Sequence, residues 1–223
     1  FFFSDNGSTA VEVALKMAHQ YWFNKGKVKR TIYLSFDGGY HGDTFGAMSV
    51  SGLAVYNGPF EPYLLTIDRV KVPTKANFKT VFTAFRNLAA TGEIAAFIYE
   101  PLVQGANAMR MYDAELLDGL LAISKTHNII TIADEVMTGF GKTGKSFACD
   151  YLEQQPDMMC LSKALTGGTI PMAVTSFTQE IYEGFYDDDI NKALFHGHTF
   201  TANPTGCAAA LASIELLETE EIQ

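Results

Sequence analysis

Apolar residues recur along the chain in two rhythms, and the alternation between them sets out an ordered series of helices and strands. Residues 9–23 show helical spacing, with Val13, Met17, Ala18, Tyr21 and Trp22 available for one face. Residues 78–90 look helical too, as do 113–126, where Leu116, Leu117, Leu120, Leu121 and Ile123 form a stripe that reads as core. An alanine-rich helix is expected over 205–217. Between these segments, short β-branched and aromatic runs at 31–36, 94–99, 128–133, 157–161 and 171–177 predict strands. The run at 128–133 is apolar almost throughout, which implies burial on both faces, as in a parallel sheet. Strands interleaved with helices predict an α/β fold with a mostly parallel central sheet flanked by helices. Residues 24–30 read as a basic, solvated turn, and residues 53–77, with Pro59, Pro62 and Pro73, as a long irregular surface excursion.

Composition narrows the class. A chain of 223 residues, 48% hydrophobic and 18% charged, has the length for one large domain with a sizeable core. Its net charge of -9 argues against nucleic acid or an anionic membrane as partner and leaves small molecules. Cys149, Cys160 and Cys207 stand far apart without CxxC spacing, so neither a zinc site nor a disulfide framework is suggested, and a cytoplasmic protein fits. No run approaches the roughly 18 apolar residues of a membrane span, and no secretory leader pattern is present. The opening Phe1-Phe2-Phe3 reads as the interior of a buried segment. The end at Glu221-Ile222-Gln223 lacks a helix stop signal, so the chain reads as a fragment.

The candidate chemistry collects where strands end. Lys163 follows a short apolar run and precedes Ala164-Leu165-Thr166-Gly167-Gly168. Burial there would favour the neutral amine, the form that makes a Schiff base, whereas a solvated loop lysine is the plainer alternative. Asp134 ends the most strongly β-patterned run and needs a cationic or N–H partner, of which a pyridinium nitrogen is one. The two lie far enough apart in sequence for a crossover, which needs about a dozen residues or more, so both can reach one sheet edge. Gly7 and Ser8 open the first helix, where free N–H groups suit an anion; Ser8 as an ordinary N-cap is the alternative. Tyr40 and His41 sit among glycines after a strand, and Tyr40 can stack on a flat ring or pack on its own domain. Glu100, presented before Pro101, suits either a catalytic task or satisfaction by neighbouring backbone or a cation. Thr199 is a hydroxyl donor for an anion. His196 and His198 lack a third metal ligand by spacing. Residues 139–146 match the letters of a phosphate-binding loop, but no strand runs directly into them, which argues against a nucleotide site.

An anion cradle, a stacking ring, a carboxylate and an amine, in this order, match the needs of pyridoxal phosphate. The stretches Ser4-Asp5-Asn6-Gly7-Ser8-Thr9, Tyr40-His41-Gly42-Asp43-Thr44, Glu100-Pro101-Leu102-Val103-Gln104-Gly105, Ala133-Asp134-Glu135-Val136, Ser162-Lys163-Ala164-Leu165-Thr166-Gly167-Gly168 and His196-Gly197-His198-Thr199-Phe200 resemble the class III aminotransferases. The likeness runs nearly end to end. It implies a pyridoxal-phosphate transferase of fold type I, in which Lys163 carries the cofactor aldehyde, Asp134 pairs with the pyridinium, Gly7 and Ser8 hold the phosphate, and Tyr40 lies against the ring beside His41. Gly197, Asp43 and Tyr40 are implied at the substrate. His198 and Thr199 match a turn that reaches the phosphate of a neighbouring subunit, which implies a homodimer with shared sites; many relatives carry proline where His198 stands. Residues 40–49 and 109–112 look like the biotin-synthesis branch of the family, implying amino transfer from S-adenosylmethionine to 8-amino-7-oxononanoate. The alternatives are another class III enzyme using an ω-amino acid, diamine or lysine donor, and a non-catalytic module of the same fold. The resemblance also implies that residues 1–223 are the cofactor-binding large domain, without the N-terminal segment and the small C-terminal domain.

Overall fold

The computed structural model describes residues 1–53 and 57–219. Three residues of the predicted excursion, 54–56, and the chain end at 220–223 lie outside them. The strands are β1 (Phe2–Ser4), β2 (Ile32–Phe36), β3 (Ile67–Val70), β4 (Ile94–Tyr99), β5 (Val103–Gln104), β6 (Arg110–Met111), β7 (Ile130–Asp134), β8 (Met158–Leu161) and β9 (Ala173–Phe177). Seven of them form the central sheet in the order β1-β9-β8-β7-β4-β2-β3, and β5 pairs with β6 in a separate ribbon. From β8 to β3 every neighbour is parallel, while β9 runs antiparallel to both β8 and β1. Six strands therefore end at one edge of the sheet, and β9 begins there. The expected mostly parallel α/β architecture is what the chain adopts.

Both faces of the sheet are covered, which explains why its central strands read as unbroken apolar runs. All of β4 is buried. Its Ala96 and Ile98 pack with Val11, Ala14 and Ala18 of helix α1 (Gly7–Asn24), and with Ala47 and Val50 of α2 (Phe45–Val50). Its Phe97 and Tyr99 turn to the opposite face. There they meet Phe85 of α3 (Phe78–Ala90) and Leu117 and Leu120 of α4 (Ala114–Thr126). Two further helices, the short α5 (Gln179–Glu183) and the longer α6 (Pro204–Thr219), follow β9.

The start of α1 is fixed by Asn6, not by Ser8. The Asn6 side chain accepts the Thr9 N–H at 3.0 Å, and the Thr9 hydroxyl accepts the Asn6 N–H at 3.2 Å. This reciprocal cap satisfies the Thr9 donor and leaves Ser8 free for other work. Three further expectations are corrected. Phe1 is 81% exposed and β1 is an edge strand, because one neighbour, β9, is all that this short segment pairs with. The excursion contains β3, whose Asp68 and Arg69 hid the strand pattern; an edge position tolerates such charges.

The basic turn is solvated as far as Lys29, but Arg30 is drawn in. Its guanidinium donates to the carbonyls of Ile94 at 2.7 Å, His127 at 2.8 Å and Asn128 at 2.9 Å, and lies 4.3 Å from the centre of the Trp22 ring. One side chain thus ties α1 to the amino-terminal approaches of β4 and β7. Arg30→Ala is expected to cost about 2–3 kcal/mol, since the charge-assisted bonds are lost while water re-solvates part of the carbonyls. A urea titration measures this. A midpoint within error of the parent would mean that water replaces the guanidinium at no cost.

Candidate active site

A cavity of about 730 Å³ opens at the carboxyl edge of the sheet, where ligands of parallel α/β sheets bind. Each wall comes from a strand end. Asp5 to Ser8 follow β1, Tyr40 to Gly42 follow β2, Glu100 follows β4, Asp134 ends β7, Lys163 follows β8, and Ile170 to Met172 lead into β9. The fold thereby brings Gly7, Ser8, Tyr40, His41, Asp134 and Lys163 into one space. Asp134 and Cys160 are register partners on adjacent parallel strands, which sets Lys163 just beyond Asp134 at the same edge. The crossover between them contains no α-helix, only the 3-10 turn Ala148–Tyr151.

At the start of α1 the backbone N–H groups of Gly7 and Ser8 have no acceptor among the described residues, and the first turn carries no acidic residue. The positive end of the helix is therefore not neutralised from within. Asp5 stands just outside the helix, with its carboxylate taken up by Asn6 and Thr9. The Ser8 hydroxyl accepts the Asp43 N–H at 3.2 Å. Gly42 lies under it with φ +131°, and a Cβ there would come within 2.8 Å of the Ser8 Cα, so only glycine fits. A Cβ on Gly7 would stand 2.8 Å from Val136 Cγ1, which closes the other side of the cradle.

Asp134 is 5% exposed and carries two partners. Its Oδ2 is 2.7 Å from His41 Nδ1, and its Oδ1 accepts the Val136 N–H at 3.1 Å. The cationic or N–H partner expected from the sequence is thus supplied by the protein, with the carboxylate still lining the cavity. Burial, and then the Asp134 charge, push the neighbouring Cys160 thiol well above its ordinary range, so it stays protonated and unreactive. Tyr40 is half-buried on the cavity wall and donates its hydroxyl to Asp43 at 2.9 Å. Glu100 is a buried clamp. Its carboxylate accepts the N–H groups of Tyr40 and Gly105, and burial raises its pKa, with the charge of nearby His41 opposing the rise.

Lys163 departs from expectation. The sequence implied a buried amine, yet the side chain is exposed, because the cavity stands open beside Gly167, Gly168 and Thr169, which are exposed as well. Its ammonium makes no hydrogen bond or ion pair among the described residues. Its backbone holds φ 45°, a left-handed conformation that costs a non-glycine residue about 1 kcal/mol or more. Two left-handed glycines, Gly167 and Gly168, complete the turn.

Gly197, His198 and Thr199 are exposed and lie outside the cavity lining, as does Asp43, which reaches it through Tyr40. His196 and His198 have separate partners: the Nδ1 of the first is 3.0 Å from Lys16 Nζ, and the Nε2 of the second is 4.0 Å from Asp5. Among the described residues no three His, Cys, Asp or Glu side chains gather as a metal set. The 139–146 loop folds on itself, with Lys145 donating to the Asp150 carbonyl at 2.7 Å and lying over the Tyr151 ring, so no phosphate cradle forms. Cavity residues that the sequence reading did not single out are Val136, Met137, Thr169, Ile170 and Met172. Their signal was position alone, two or three residues beyond Asp134 and in the turn after Lys163.

A protein-family model described as aminotransferase class-III matches residues 1–223. The adenosylmethionine-8-amino-7-oxononanoate aminotransferase of Synechococcus elongatus is 50% identical over 224 residues, covering 97% of this chain and 53% of the relative. The crystal structure of the Methanocaldococcus jannaschii protein of the same name superposes with a TM-score of 0.92 at 40% identity, covering 99% of this chain and 51% of that one. An amine transaminase from an uncultivated Pseudomonas species, solved in its PLP-bound form, gives 0.91 at 35% identity over 99% of this chain and 53% of its own. The chain spans about half the length of these relatives. With a match over its whole length and relatives of this identity, the chain belongs to the class-III aminotransferase family.

Proposed function

We propose that this chain is the cofactor-binding large domain of a pyridoxal-phosphate aminotransferase that moves an amino group from S-adenosylmethionine to 8-amino-7-oxononanoate, giving 7,8-diaminononanoate. The observation that carries the reading is the convergence of Gly7, Ser8, Tyr40, Asp134 and Lys163 in one cavity. The donor set fits the cofactor. Two unpaired N–H groups and the Ser8 hydroxyl, at an unneutralised helix start, suit a phosphate. The Tyr40 ring and the apolar Val136 side chain both line the cavity and would suit the faces of a flat ring. Asp134 suits a protonated ring nitrogen. When bound, pyridoxal phosphate supplies an aldehyde for the Lys163 amine and an electron sink for the carbanion formed on the substrate.

The protein's part is to hold and to move protons. Among the described residues Lys163 is the one lysine or arginine lining the cavity, and its Nζ carries the proton to and from the substrate carbon. His41, bonded through Nδ1, fixes the Asp134 carboxylate in place, and the Val136 N–H fixes its other oxygen. Tyr40, anchored at its hydroxyl by Asp43, orients the ring and the substrate together. We assign Gly197 and Asp43 to the substrate side and His198 and Thr199 to the phosphate of a neighbouring subunit. The position of that exposed loop outside its own cavity supports a shared, homodimeric site. So does a second groove of about 740 Å³, lined in part by α1, that exposes Phe23, Phe45, Tyr63 and Leu65. No helix among the described residues is long and apolar enough to cross a membrane. A cytoplasmic setting suits the three unpaired thiols.

The test is amino transfer to 8-amino-7-oxononanoate by the full-length parent protein loaded with pyridoxal phosphate. The expected product is diaminononanoate with S-adenosylmethionine as donor. Product with lysine alone would change the donor and keep the acceptor. The similarity to an amine transaminase favours a second reading, in which simple amines or ω-amino acids react and this acceptor does not.

A further inference from the structure

We infer that Glu100 is a positioning residue, a carboxylate strap that holds the Tyr40 loop and the 105–109 loop in one arrangement around the cavity. The inference rests on the aminotransferase reading of that cavity. Glu100 sits at the end of β4, between β2 and β7 in the sheet, and is 6% exposed. Its Oε1 accepts the Tyr40 N–H at 3.0 Å and its Oε2 accepts the Gly105 N–H at 2.8 Å. Each oxygen therefore serves a different loop, and both loops line the cavity. The Tyr40 ring is consequently fixed at two ends, by Glu100 at its backbone and by Asp43 at its hydroxyl.

The second loop needs such a hold. A Cβ on Gly105 would stand 2.8 Å from Met137 Sδ, so this backbone is pressed against the cavity wall. Three residues on, Ala108 and Met109 take successive left-handed conformations, φ 53° and 54°. Strain of this kind persists where the surroundings over-determine it, and the Glu100 bond at Gly105 is the strap at the loop's root. A buried carboxylate is a costly way to fill space, and an apolar residue there would orphan two N–H groups. The Glu100 charge also lies near the His41–Asp134 pair, so it contributes to the field in which the ring nitrogen is held.

Two variants of the full-length holoenzyme separate reach from charge. In Glu100→Gln one oxygen still accepts, but the new amide confronts the second N–H as donor to donor. The kcat is expected to fall about tenfold, as for loss of one charge-assisted bond, with Tm within a few degrees of the parent. The pH midpoint of the bound cofactor's visible absorbance should move lower, because a negative charge that favours the protonated form is gone. Glu100→Asp keeps the charge and shortens the reach, so kcat should fall while the spectral midpoint stays near that of the parent. In both, amide hydrogen exchange should quicken in peptides covering 38–43 and 102–109. Unchanged exchange in both variants overturns the strap. Quickened exchange with kcat within twofold of the parent, or kcat and Tm collapsing together, overturns the positioning role. If the parent takes up no pyridoxal phosphate, the aminotransferase reading falls, and exchange in the two loops still decides the strap.

Discussion

Lys163→Ala is expected to lower amino transfer by about 10⁴-fold or more and to abolish the visible absorbance of covalently held cofactor, because the proposed function makes this one side chain both the nucleophilic amine and the proton carrier. The fold should not notice. The ammonium has no partner to lose among the described residues, and alanine inherits the left-handed φ of 45° without relief. The measured stability change should stay within about 0.5 kcal/mol, as for an exposed site. Lys163→Gly sharpens the test. Glycine occupies that conformation without a Cβ clash, so this variant should gain about 1 kcal/mol in a denaturant titration while remaining inactive. A protein that becomes more stable as it loses its chemistry holds a strained residue for function. Turnover within tenfold of the parent in either variant would remove Lys163 from the reaction.

How far the sequence carried this reading depended on whether a property was local. Strands β4 and β7 were legible because helices cover both sheet faces, so that nearly every position along them is apolar. The strand β3 was not, since Asp68 and Arg69 on an edge strand interrupt the pattern. The antiparallel course of β9 was illegible for another reason: strand direction leaves no mark on a short apolar run. In the site, Gly7, Tyr40, Asp134 and Lys163 announced themselves by a change of residue type at a strand or helix end. The His41–Asp134 contact spans 93 positions and had no local signature. Met137 and Met172 line the cavity, yet in sequence an apolar wall looks like core. Burial was misjudged at Lys163 because a residue after a buried strand inherits its environment only if something covers the turn, and here the cavity is open.

Asp134→Asn is the second large expected effect, about 10³-fold in kcat with little change in KM. The substitution keeps size and shape. Its carbonyl oxygen can still accept the Val136 N–H, and its amide can donate to His41 Nδ1 once that ring takes the other tautomer. What disappears is the negative charge that the proposed reading sets against the ring nitrogen. Removing one partner of a buried charge pair costs roughly 3–5 kcal/mol, and here that cost falls on the charged state reached during reaction. Stability should change by no more than about 1 kcal/mol, since each buried donor keeps an acceptor. Asp134→Ala separates the two roles, for it orphans both His41 and the Val136 N–H and should lose about 2–4 kcal/mol of stability as well. Unchanged kcat in the asparagine variant would mean that the ring nitrogen finds its counter-charge elsewhere in the cavity. Among the lining residues Glu100 and Asp5 are the other carboxylates, and both are already engaged by hydrogen bonds within the protein. That leaves Asp134 as the carboxylate that the fold both buries and braces at the strand end nearest Lys163.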